Sequence, residues 1–174
     1  MAILRTGPFL IPDSTCNGNP ITHLFVSLAN LSNRTLDANV RIDQSLATAR
    51  RYPSDPVLPN DPITPLAPTD PVRILRRSLV LRSYQIATVP PPLDDGEVTA
   101  NAKATTDPLV LIVTISGDVE LTADEIEVSV TGGFSSDGSS LEDAEPTIFF
   151  RHGDFVLVRD DDDEDESSSS SSSN

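Results

Sequence analysis

The residues of this 174-residue chain best suited to chemistry are two histidines, one cysteine and a run of carboxylates, and their spacing points away from catalysis. His23 and His152 stand 129 positions apart. Cys16 and His23 are near enough in sequence to face one metal ion, but zinc sites take three or four ligands in recognisable pairs, and none follows here. Serine is plentiful, yet no G-x-S-x-G elbow points a base at any one of them. Neither a G-x-G-x-x-G turn nor a phosphate-binding P-loop is present. Asp160–Glu166 (DDDDEDE) lacks the alternating ligands and glycine of an EF-hand loop and reads as a solvated tail. Asn30-Leu31-Ser32 and Asn33-Arg34-Thr35 match the glycosylation acceptor pattern, but without a secretion signal they read as turn chemistry. No catalytic residue, metal ligand or cofactor is expected, and the chain is not expected to be an enzyme.

A stronger pattern lies in the prolines. Pro53, Pro56, Pro59, Pro62, Pro65, Pro68 and Pro71 fall at every third position. The polyproline II helix has three residues per turn, so all seven align on one edge of a spur about 56 Å long. Each proline fixes its own φ and pushes the preceding residue out of the α region. A polyproline II loop is expected, laid along the surface or facing solvent, without ladder hydrogen bonds of its own. Arg50–Pro56 (RRYPSDP) contains R-x-x-P-x-x-P, the spacing an SH3-type groove reads, but the repeat runs on past what one groove needs.

These segments must be positioned by a modest body. Hydrophobic residues make up 37% of the chain and there is no tryptophan, so a single core is expected. The net charge of −15 is unevenly placed. Residues 1–92 carry +3, residues 93–159 carry −11 and the run 160–166 adds −7. Such a body can stack head to tail with its copies, and its field repels phosphate, so no nucleic-acid partner is expected. A lone cysteine excludes an internal disulfide and leaves intermolecular pairing open. Met1–Leu10 has no apolar run long enough for a signal peptide, and no stretch of about 18 apolar residues spans a membrane. The chain is expected to be made in the cytoplasm without an export signal.

Four zones follow. Residues 1–20 read as an extended N-terminal arm, whose Ile3, Leu4, Phe9, Leu10 and Ile11 would be costly to leave wet. Residues 21–159 hold the β-rich domain, with the proline spur at 53–71. Leu24, Val26 and Leu28 alternate, Ser32–Thr35 turns the chain, and Leu36, Ala38, Val40 and Ile42 alternate again, which predicts a hairpin. Ile74–Ala87 reads as one long strand and Leu109–Ile115 as a central buried one. Ile126, Val128 and Val130 alternate with Glu125, Glu127 and Ser129, and Thr147–Phe150 with Phe155–Val158 forms a second hairpin candidate around Arg151–Asp154. Residues 160–174 are acids, serines and an asparagine and are expected to be disordered. The fold expected is all-β: an antiparallel β-sandwich, jelly-roll or immunoglobulin-like. Its core is expected to contain Leu24, Val26, Leu28, Val40, Ile42, Leu79, Leu81, Leu111, Val113, Ile126, Val128, Val130, Phe149 and Val156.

The stretch Phe25–Asp43 (FVSLANLSNRTLDANVRID) resembles the opening hairpin of small β-sandwich proteins of endospore-forming bacteria, including spore-surface and spore-appendage subunits. A strand ended by a proline cap, as at Ile86–Pro92, is a further point of likeness. The resemblance implies assembly inside the mother cell onto a spore surface. It also implies that an N-terminal connector reaches the next subunit, with Cys16 as its cross-linking residue.

Two functions of different class follow. One is a structural, self-assembling surface or filament subunit whose arm (Ile3, Leu4, Phe9, Leu10, Ile11, Cys16) docks on a neighbour, giving a homo-oligomer. The other is a monomeric binding module that presents the proline-rich segment to a protein or glycan partner.

Overall fold

The computed structural model describes residues 2–46, 63–86, 109–120 and 124–158, which form two antiparallel sheets packed face to face. The strands are β1 (Ala2–Arg5), β2 (Phe9–Leu10), β3 (His23–Asn30), β4 (Leu36–Leu46), β5 (Thr64–Pro65) and β6 (Asp70–Ile74). They continue with β7 (Leu79–Gln85), β8 (Leu109–Gly117), β9 (Ile126–Phe134), β10 (Asp143–Arg151) and β11 (Val156–Val158). The larger sheet runs β11-β1-β8-β4-β5, with β2 on β8 and β6 on β4. The smaller runs β10-β9-β3-β7. The expected all-β sandwich is the fold observed, with open sheets.

Burial follows the alternation. Leu36, Ala38, Val40 and Ile42 of β4 and Leu111, Val113 and Ile115 of β8 point inward from the larger sheet. Leu24, Val26 and Leu28 of β3 and Ile126, Val128 and Val130 of β9 meet them from the smaller one. All are at most 1% exposed, so each contributes about 1.5–3 kcal/mol where the side chain is large. Gly133 lets β10 approach β9, because a Cβ there would lie 2.1 Å from the Asp143 carbonyl oxygen.

Several expectations are corrected. β3 and β4 do not form a hairpin: they lie in opposite sheets and face each other across the core. Asn30 turns the chain between them. Its side-chain amide donates to the carbonyls of Arg34 (2.7 Å) and Ile74 (3.1 Å), and its carbonyl accepts from the Ser32 N–H. The single strand expected over Ile74–Ala87 is two strands in different sheets. The break falls at Leu75–Ser78, where Arg77 takes φ 49° and the Ser78 hydroxyl donates to the Leu75 carbonyl at 2.6 Å. β10 and β11 likewise belong to different sheets, and a 3-10 turn at His152–Asp154 carries the chain between them.

Four of the fourteen expected core residues are exposed: Leu79, Leu81, Phe149 and Val156. In β7 the inward set is Val80, Arg82 and Tyr84, which leaves Leu79 and Leu81 outside. In β10 the register shifts between Glu145 and Phe149, and Ile148 takes the inward place. In the short β11 the inward position belongs to its predecessor, Phe155. Leu4, Ile21, Val72, Ile74, Tyr84, Ile86, Val119 and Ile148 join the core in their stead.

The end of the proline array is also corrected. Thr64–Pro65 pairs with Gln44 and Asp43, and Asp70–Ile74, including Pro71, pairs with Val40 back to Leu36. Both segments sit on the outer side of β4, whose inner side bonds to β8, so they are edge strands, where a missing N–H faces away from the ladder. Pro68 is exposed in the link between them. Pro53, Pro56, Pro59 and Pro62, the Pro90–Pro92 cap and the tail 160–174 lie outside the described residues.

Candidate functional site

The N-terminal arm is the expected site whose strand partners are described in full. Residues 2–11 run antiparallel along the whole of β8. Ala2–Arg5 pair with Gly117–Thr114, and Phe9–Leu10 pair with Leu111–Val110. Between them the Thr6 N–H donates to the Val113 carbonyl (2.9 Å), the Thr6 hydroxyl accepts from the Val113 N–H (3.0 Å), and past them the Ile11 N–H reaches Leu109 O. On its other side β1 pairs with β11, Ile3 facing Val158 and Arg5 facing Val156. The strand therefore fills a slot between β8 and β11.

The arm residues divide by depth. Leu4 is fully buried. Ile3 and Ile11 are half-buried, and Phe9 packs on Phe150 with ring centroids 4.6 Å apart. Leu10 is 59% exposed. The arm expected at residues 1–20 is thus docked, over 2–11, on its own chain, and the core extends across the boundary drawn at residue 20.

A connector carries the arm to β3. Residues 14–20 close a turn through a bridge between Ser14 and Pro20, with Gly18 at φ 84°. Asp143 pins it: Thr15 donates a hydrogen bond to its carboxylate, and Asn17 and Asn19 donate at 2.8 and 3.0 Å. The Thr15 and Asn19 bonds, then that of Asn17, hold the Asp143 carboxyl below the usual carboxylate range. Cys16 is exposed on this turn, with its thiol 3.7 Å from Glu145 Oε2. Nothing in the sequence flags Asp143 as this anchor, because its partners lie 124 to 128 positions away.

Both histidines are held by hydrogen bonds. His152 is buried, its Nδ1 3.2 Å from the Val128 N–H and its Nε2 2.6 Å from the Glu120 carbonyl oxygen. An amide can only donate and a carbonyl only accept, so the ring is neutral with its proton on Nε2. His23 Nδ1 meets the Thr22 hydroxyl at 2.9 Å. At the far edge of the sandwich, Tyr84 donates to Asp70 Oδ2 at 3.0 Å and Arg82 Nε lies 3.1 Å from the same oxygen, without the alignment of a hydrogen bond. Burial, then Asp70, raises the Tyr84 pKa well above its ordinary value. This trio ties β7 of one sheet to β6 of the other. Among the described residues no three His, Cys, Asp or Glu side chains gather as a metal would need, and no helix is long and apolar enough to cross a membrane.

No family model, curated protein or solved structure matches the chain.

Proposed function

We propose that this chain is a self-assembling structural subunit of a surface layer or filament, in which residues 2–11 of one copy complete the larger sheet of the next. The observation that carries this reading is the position of β1, hydrogen-bonded on both sides by strands more than a hundred residues away along the chain. A strand held only by such distant partners makes the same contacts when it comes from another copy, so exchange changes little in energy. The connector fixes where the arm departs. Residues 14–20 stay pinned to Asp143, and the change of direction falls at Pro12, between the pinned turn and the exchanged strand. Exchange passed from copy to copy without closing builds a filament.

The test uses Ile3→Cys with Ser116→Cys in a Cys16→Ser background. Ile3 and Ser116 are direct partners. They form a non-hydrogen-bonded pair, since Thr6 and Val113 are bonded, so their Cα atoms lie about 4.5 Å apart, within disulfide reach. Oxidised while dilute, the arm is locked in its own slot. On concentration the reduced protein is expected to form filaments in negative-stain images, and the locked protein none. Filaments from the locked form, or none from the reduced form, would overturn the proposal.

A further inference from the structure

Strand β7 is one of the two edges of the smaller sheet, and among the described residues no strand covers it. Asn30 N–H donates to Ser78 O and Ile86 N–H to Thr22 O, in the register that sets Leu28 against Val80. Hydrogen-bonded pairs alternate in an antiparallel ladder, so Val80, Arg82 and Tyr84 bond to β3. The N–H and C=O groups of Leu79, Leu81, Ser83 and Gln85 therefore point away from the sheet, and among the described residues no strand meets them. Exposed edges of this kind template the addition of another strand.

The two edges of this sheet differ. β10 carries Pro146 and the register shift between Glu145 and Phe149, both of which stop a strand from adding. β7 has neither. On its outer face Leu79 and Leu81 are 66% and 47% exposed, and its one charge, Arg82, is turned inward onto Asp70.

We infer that β7 is the seam of a two-fold dimer, adding antiparallel to β7 of a second copy with Leu81 on the axis. Leu79 then faces the second copy's Ser83, and Leu81 faces its own counterpart. Arg82 faces the second copy's Val80 rather than another arginine. The smaller sheets of two copies become one sheet of eight strands.

Charge selects a second copy as the occupant. Arg76 and Arg77 are exposed at the start of β7, and among the described residues neither is ion-paired. At the other end of β7 the β9–β10 loop folds over the sheet. Gly138 sits so close there that a Cβ on it would lie 3.1 Å from His23 Nε2 and 3.7 Å from Ser83 Oγ. That loop carries the exposed carboxylates Asp137 and Glu142. Antiparallel addition sets Arg77 level with the second copy's Gln85, so each basic turn meets the other copy's acidic loop, twice by symmetry. The seam is separate from the arm and forms whether or not the arm is exchanged.

Single cysteines placed along β7 in the Cys16→Ser protein test this register. Across a hydrogen-bonded pair on the axis, two copies of Leu81→Cys have Cα atoms about 5.5 Å apart, within disulfide reach. Leu81→Cys is expected to give a disulfide-linked dimer in mild oxidant, while Ser83→Cys and Gln85→Cys, which face other residues, stay unlinked. Reversing Arg76 and Arg77 to Glu beside Leu81→Cys should slow linking about tenfold. All three positions are exposed, so folding is little affected, and thermal melts check it. Equal linking at all three positions, linking at Ser83 or Gln85 alone, or none at Leu81 would overturn the seam; loss of filaments from the arm-locked protein bears only on the arm.

Discussion

Leu4→Ala measures how firmly the arm belongs to the core. Leu4 is 0% exposed, in a strand bonded on both sides. Truncation removes three buried carbons, about 2.4 kcal/mol at roughly 0.8 kcal/mol each. The cavity left between the sheets adds to this and brings the range to about 2–5 kcal/mol. Total stabilities of domains are about 5–15 kcal/mol, so the loss is a large part of the whole. At about 2–4 °C per kcal/mol for a chain of this size, a loss of roughly 3 kcal/mol lowers Tm by about 6–12 °C. Urea unfolding at fixed protein concentration reads the change as a shift in midpoint at constant m. The control is Leu10→Ala, on the same arm but 59% exposed, which should cost under about 1 kcal/mol. If Leu4→Ala cost no more than Leu10→Ala, residues 2–5 would not occupy the slot between β8 and β11.

Three further outcomes are expected. His152→Ala strands the Val128 N–H and the Glu120 carbonyl, at about 1–3 kcal/mol for each group left unpartnered, while His152→Gln, able to accept and donate, costs less; equal urea midpoints for the two would contradict the bonding scheme. Gly133→Ala pushes a methyl against the Asp143 backbone and should cost about 3 kcal/mol, and a folded variant of unchanged Tm would place β10 elsewhere. Stability should also fall in acid. Asp137 is lowered from 3.8 to about 2, chiefly by bonds from Ser139, and Asp143 is lowered by Thr15 and Asn19. Depressed carboxylates stabilise fully above their unfolded values, and that share is lost as pH drops through the folded ones, for Asp137 between about 4 and 2. Melts of Asp137→Asn should show a shallower fall across that window, and a slope equal to wild type would remove Asp137 from the linkage.

Alternation along the chain determined the class of fold and most of the core. A strand with one apolar face must turn that face inward, and Leu24–Leu28, Leu36–Ile42, Leu111–Val113 and Ile126–Val130 state that face without ambiguity. Ile3, Leu4, Phe9 and Ile11 of the arm were legible for the same reason, as groups too costly to leave in water, whereas Leu10 stays 59% exposed. What alternation does not encode is which strand lies beside which. Two neighbouring strands with matching apolar faces can hydrogen-bond side by side or oppose each other across the core, and both bury the same side chains. β3 and β4 take the second arrangement because Asn30 captures the Ile74 carbonyl and turns the chain between layers. The choice of Val80 over Leu79 as the inward residue was settled by pairing with β3, and the outward turn of Phe149 by the shifted register in β10. The proline period specified extended backbone, but only the free side of β4 made strands of its last part. The slot for the arm, its anchor at Asp143 and the open edge of β7 arise between residues far apart in sequence, where contact energy and not local preference selects the partner.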